Sequence, residues 1–245
     1  MLRCFAKITT PFFLLSTFSS STWASDHQDP WEQVNRKIYS FNKTIDNCCF
    51  KPIAKGYRAV TPKIVDEGIT HFFHNLKEPL IALNNGLQGK GRQSASDVGR
   101  FMINTVTSVG FVDVAQKMGF DKHEEDFGQT FGKWGASSGA YLMLPFLGSS
   151  SVRDVLGKPF DSAVNPRNLI ENNAANVSLF TLELIDLRAD VIPLEKIIEG
   201  DEYVLLRDVY LQRRDFLVHD GQVKDTFMDD DVDESSDSAP SITTP

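Results

Sequence analysis

Four groups of side chains have types and spacings that chemistry could use. His71 and His74 stand three apart, so on a helix they share a face and could bring two imidazoles to a metal. His123, followed by Glu124, Glu125 and Asp126, forms a polar run able to hold a cation. Gly148 precedes Ser149, Ser150 and Ser151, where a nucleophile would be sought. Cys48 and Cys49 adjoin, which raises redox or metal chemistry. Each group has a plainer reading. Two histidines fall short of a zinc ligand set, and the run from His123 reads as solvated surface. The serines lack the G-x-S-x-G spacing of a nucleophile elbow and suit a helix cap before Val152. Vicinal cysteines bridge each other only with strain, so the pair reads as two small buried hydrophobes. Arg213-Arg214 and Lys90 with Arg92 are basic pairs that meet lipid headgroups or simply face solvent. No constellation for catalysis emerges, so the expectation is a non-enzyme with no cofactor and no metal site.

The elements around these groups are helical by pattern. The chain has 245 residues, 41% hydrophobic and 24% charged, enough for one domain with a sizeable core. Residues 1–24 read as a signal peptide: Arg3 and Lys7, an apolar run from Ile8 to Phe18, then Thr22-Trp23-Ala24 before Ser25. The apolar run is too short to span a bilayer. No cysteine follows it at a lipidation position, so an unacylated mature chain starting near Ser25 is expected. Residues 225–245 are acidic and rich in Ser, which predicts a disordered tail. The formal net charge of −8 is concentrated in that tail and gives no electrostatic case for nucleic acid.

Between these ends, residues 25–224 are expected to form one all-α domain of about five long and several short helices. Asp29-Pro30-Trp31-Glu32 reads as a helix start, with Asp29 as cap and Pro30 in the first turn. Trp31, Val34, Ile38, Phe41 and Ile45 then repeat at helical spacing. Pro52 is expected to end that helix and Pro79 to kink or split the next, which carries Ile69, Phe72, Phe73, Leu76, Leu80, Leu83 and Leu87. Ser94 or Ser96 is the expected cap of a helix with Val98, Phe101, Met102 and Thr105 on its inner face. A short helix after Ser151 is expected to end at Gly157. Two more long helices are predicted over Asn168 to Arg188 and from Tyr203 through Phe216.

The least usual stretch is Glu124 to Asp154. It holds glycines at 128, 132, 135, 139 and 148 and an apolar run from Ala140 to Leu147, with no charge from Tyr141 to Ser150. Glycine permits backbone conformations that other residues resist. The run therefore reads either as buried core or as a flexible surface that meets lipid.

Seven blocks extend this reading: "DPWEQVNRKIYSFNKTID", "KPIAKGYRAVTP", "GITHFFHNLKEP", "NNGLQGK", "GRFMINTVTSVGFVDVA", "EDFGQTFGKWGASSGAYLMLPFLGSSSVRD" and "DEYVLLRDVYLQRRDF". In this order they resemble the successive motifs of the MlaA (VacJ) family of outer-membrane phospholipid-asymmetry proteins, from Asp29 to about Phe227. The resemblance implies a ring-shaped helical domain with a Gly-rich hairpin loop, embedded in the outer membrane towards its periplasmic leaflet. It implies a non-enzymatic conduit that removes mislocalised phospholipids from the outer leaflet. Its implied partners are phospholipids, a trimeric porin and a periplasmic lipid carrier of the Mla system. The family's hairpin corresponds to Lys133 through Leu144 here, which makes Trp134, Gly135, Gly139, Tyr141, Leu142 and Leu144 the candidates for the lipid path. Phe72, Phe73 and Phe146 are candidates for the membrane-facing surface. The hairpin departs from the family's Gly-x-Gly-Pro-Tyr in carrying Ser137-Ser138-Gly139-Ala140-Tyr141. The alternatives are a porin-associated adaptor without its own channel and an esterase acting on the same lipids.

Overall fold

A computed structural model of the protein describes residues 29–197 and 200–222; the expected signal peptide and acidic tail lie outside them. Helix α1 (Glu32–Ile45) passes through one wide π turn (Asp46–Phe50) directly into α2 (Lys51–Val60). The change of element expected at Pro52 comes a few residues earlier, at this π turn, and the chain continues as helix through it. Pro52 lies in the first turn of α2, where its missing N–H is tolerated, and the π turn absorbs the altered ladder. Then come α3 (Lys63–Leu87), α4 (Gly91–Ser108), the single turn α5 (Val114–Lys117) and α6 (Phe127–Lys133). Pro79 sits inside α3 without splitting it, because packing along α4 holds both sides of the proline in one helix. Strands β1 (Tyr141–Leu144) and β2 (Gly148–Ser151) follow, then α7 (Val152–Val164), α8 (Asn173–Val191) and α9 (Glu202–Val218).

The all-α expectation holds, with the short β1–β2 hairpin as the one addition among the described residues. The strands pair antiparallel with Tyr141 opposite Ser151 and Leu144 opposite Gly148. Four residues per strand are too few for period-2 alternation to stand out in the sequence. Other boundaries also shift. Asp29 is buried and does not cap α1, which begins after Trp31. Ser94 does not cap α4; its hydroxyl donates to the Ala82 carbonyl at 2.7 Å, tying α4 to α3. Helix α7 runs past Gly157 to Val164. Gly157 is needed for packing: a Cβ there would lie 2.6 Å from the Gly128 nitrogen, so α6 and α7 cross backbone to backbone.

The helix faces are the larger correction. On α4 the expected inner residues Val98 and Met102 are 51% and 55% exposed, while Asp97, Arg100 and Asn104 are buried. Parts of the stripes on three other long helices behave alike: Trp31, Val34 and Phe41 at and along α1, Val177, Phe180 and Leu187 on α8, and Leu206, Val209 and Phe216 on α9 are exposed, whereas Phe73 on α3 and Tyr203 on α9 are buried. Asn35, Glu183 and Asp186 are buried in their stead. Periodicity finds residues that share a face and does not say which medium that face meets. Cys48 and Cys49 are likewise not buried as expected; Cys49 is an exposed free thiol.

Candidate functional site

The interior is joined by side-chain networks. Arg100, 1% exposed, donates from Nε to Glu78 at 2.9 Å and from Nη2 to Asp113 at 2.7 Å, and its Nη1 reaches the Phe120 carbonyl. Asp113 also accepts from Asn104 and caps α5 through the Gln116 N–H. Burial alone would lift the Asp113 carboxyl; these donors hold it below the usual carboxylate range. Burial wins at Glu78, whose pKa is raised despite Arg100. A second network joins α6, α7 and α9: Arg214 pairs with Asp126 at 2.6 Å and with Asp154 at 2.9 Å, and Tyr210 donates to Asp154. A third links Asp29 to the Asn35 amide at 2.7 Å and to the Tyr203 hydroxyl. Buried charges this well paired hold a specific geometry, though replacing them with apolar side chains is often no less stable.

The hairpin is held from two sides. Asn35 and Asn42, two turns apart on α1, face the free edge of β1. Asn35 donates to the Tyr141 carbonyl at 3.1 Å and accepts from the Met143 N–H at 2.9 Å. Asn42 donates to the Leu144 carbonyl at 2.8 Å and accepts from the Phe146 N–H at 2.9 Å. The two amides thus take the place of a third strand and satisfy an edge that would otherwise be open. On the other side Tyr141 and Met143 pack with Tyr203, and the Tyr141 hydroxyl meets Ser149 at 2.9 Å. The tip, Pro145-Phe146-Leu147, projects outward, with Phe146 at φ 64° and set edge-on to Phe41.

The sequence-derived candidates separate in this frame. Tyr141 is fully buried in the hairpin core, and Leu142 and Leu144 occupy the opposite, half-exposed face of β1. Trp134 is exposed and donates its indole N–H to the Leu87 carbonyl at 3.2 Å. Gly135, at φ 97°, closes α6 as a Schellman cap: its N–H reaches Gly132, and the Ala136 N–H reaches the Phe131 carbonyl. Gly139, at φ 69°, lies where a Cβ would be 3.0 Å from the Val152 Cβ. The neighbouring carbonyls of Ser138 and Ala140 accept from Arg153 and Val152. Of the expected membrane-facing residues, Phe146 is exposed and Phe72 half-buried against Phe111, with centroids 5.2 Å apart. Phe73 is buried and offers almost no surface; its place on α3 turns it inward, with its ring edge-on to Phe72.

Several of the polar groups first weighed for chemistry are engaged in ion pairs and caps. His123 meets Asp97 at 2.6 Å, Glu124 pairs with Arg213, Glu125 with Lys90, and Asp126 caps α6. The Ser151 hydroxyl caps α7. His74 is pushed down to about 4 by burial and by Lys122, so it is neutral at physiological pH. The buried networks and the paired asparagines were not anticipated from sequence; the i, i+7 spacing of Asn35 and Asn42 was the available signal.

A helical fold with charged and amide side chains inside and large apolar side chains outside, around a pinned hairpin, defines a class of protein suited to lipid surroundings. Within it, the MlaA lipoprotein family matches residues 27–217. The chain belongs to that family. It is 33% identical over 230 residues, 91% of each chain, to the intermembrane phospholipid transport system lipoprotein MlaA of Shigella flexneri, and 32% identical over the same length to that of Escherichia coli K12. An uncharacterised protein of Rickettsia typhi is 32% identical over 192 residues, 76% of each chain. A solved structure described as the structural basis for maintenance of bacterial outer membrane lipid asymmetry superposes with a TM-score of 0.69 at 30% identity, covering 78% of this chain and 99% of that one. The family is described as lipoproteins, against the expectation of an unacylated chain, but that expectation rests on residues outside the described ones.

Proposed function

We propose that this protein is an outer-membrane component of intermembrane phospholipid transport. It sits in the periplasmic leaflet and passes phospholipid misplaced in the outer leaflet towards a periplasmic carrier. The observation that carries the reading is the inverted helix faces: Arg100, Asp97 and Asn104 are buried while Val98, Met102 and Val106 point outward. In water such an arrangement exposes apolar area at about 25 cal/mol per Å². In lipid the same surface is matched to its surroundings. No described helix is long and apolar enough to cross a membrane, which fits a body lying within one leaflet. The names of the relatives and the subject of the matching structure support the same role.

In this reading the helices close into a ring around an amphipathic path, beside a trimeric porin. The segment from Trp134 to Leu144 borders that path, with Leu142 and Leu144 on its open face. The glycines at 135 and 139 are held by a cap and by close packing, so any gating motion falls between them, at Ala136 and Ser137. No chemical step is involved. The test is outer-leaflet phospholipid in cells that lack the native gene and express this chain. Restored asymmetry supports the reading; surface phospholipid as high as in the deletion strain, with the protein present in the outer membrane, refutes it.

A further inference from the structure

A groove of about 560 Å³ opens between the N-terminal half of α3 and residues 111–117. Its size falls within the roughly 300–1,000 Å³ of ligand clefts. One wall is Ile64, Glu67 and His71, at helical spacing on α3; the facing wall is Phe111, Val112 and Lys117. The walls are fixed. Phe111 stacks on Phe72 and lies against Gly68, where a Cβ would come within 3.3 Å of its ring. Asp113, at the floor, is already committed to Arg100, Asn104 and the cap of α5, so its carboxylate is not free for a ligand.

The remaining polar groups are uncommitted and opposite in charge. Lys117 has no carboxylate partner, and His71 no hydrogen bond, among the described residues. Glu67 has only Lys63, at 3.5 Å, with both side chains largely exposed. Such a pair contributes little. An acid on one wall and a lysine on the other, each left without a strong partner, suit a ligand that carries both charges. The rim is apolar and open to the surroundings, with Ile64 82% exposed.

We infer that this groove binds the headgroup of a zwitterionic, amine-bearing phospholipid. Lys117 and His71 meet the phosphate, Glu67 meets the ammonium, and Ile64 and Val112 border the start of the acyl chains. The inference rests on the transport reading above and adds a headgroup preference to it. A phospholipid without an amine would seat its phosphate at Lys117 in the same way but leave Glu67 facing an uncharged group, so it would lack the second ion pair.

The test uses the full chain in detergent, incubated with vesicles of equal phosphatidylethanolamine and phosphatidylglycerol, repurified, and its retained lipid measured by mass spectrometry. The wild type is expected to retain phosphatidylethanolamine in excess. Glu67→Gln should bring that ratio about two- to fivefold closer to unity with total lipid little changed, and Lys117→Gln should lower both lipids by a similar factor. Both positions are exposed, so folding is expected to be unaffected, with circular dichroism as the check. Wild-type ratio and amount in both variants overturn the headgroup assignment and leave the transport reading standing. A wild type that retains no phospholipid overturns both.

Discussion

The α3–α4 pair and the hairpin junction are built on opposite plans. On α3 and α4 the buried side chains include Glu78, Asn85, Asp97, Arg100 and Asn104 beside Phe73 and Ile81, while Val98, Met102 and Val106 of α4 face out. At the junction of the hairpin with α9 the centre is Tyr141, Met143 and Tyr203, flanked by Ile38, Tyr39 and Leu211. The junction is a conventional apolar core and would hold together in water. The helix pair is joined by directional hydrogen bonds inside and, in the proposed reading, meets an apolar medium outside. The contrast shows that one chain can use the hydrophobic effect to fix its hairpin and leave the surroundings to accommodate its helices.

Substitutions at the two centres test this contrast. Arg100→Met should be the most damaging, because it leaves the Glu78 and Asp113 carboxylates buried without their cation; a loss of about 3–5 kcal/mol in denaturant unfolding is expected. A loss below about 1 kcal/mol would mean that the network does not organise the helix pair. Gly139→Val comes next. It puts a β-branched residue at φ 69° and a Cβ against Val152, costing about 2–4 kcal/mol. The close packing makes it a folding change, visible as lower yield together with lost transport.

A smaller effect is expected at Asp161, whose carboxyl burial pushes up to about 6 although it accepts the Phe127 N–H at 3.0 Å. A raised folded pKa means that the folded state favours the proton. Stability from this group is full below the unfolded value near 4 and is lost as pH rises through about 6. Asp161→Asn should therefore be more stable than the wild type by about 1–2 kcal/mol at pH 7.5, a figure reduced for partial exposure, with no difference at pH 4. A difference independent of pH would mean that charge is not its cause. The smallest change in folding is expected for Val98→Ser with Met102→Ser and Val106→Ser, within about 0.5 kcal/mol per site in detergent. The same variant should leave the outer-membrane fraction more readily. Unchanged membrane association would detach the outward stripe from the lipid reading.

The sequence made the helices legible and their orientation misleading. The stripes on α1, α4, α8 and α9 were found because a 3.6-residue period survives in any medium. On α4 the stripe reads as the inner face because soluble proteins bury such stripes. The networks at Arg100 and Arg214 join residues from three or four elements, and no local spacing announces that. The family motifs identified the chain and pointed to Lys133 through Leu144, yet the roles of Gly135 and Gly139 as cap and contact appear only with φ angles and neighbours in hand. Proline at 79 does not split α3, where tertiary packing against α4 overrides its local penalty.

The central claim is that the apolar stripe of α4 faces lipid. A benzophenone side chain placed at Met102, in the full chain in cells, tests it by photo-crosslinking in the outer membrane, with Asp208 on α9 as a half-exposed polar comparison. Mass spectrometry should find phospholipid adducts at position 102 and few at position 208. Equal lipid adducts at both positions, or none at 102, would contradict the account.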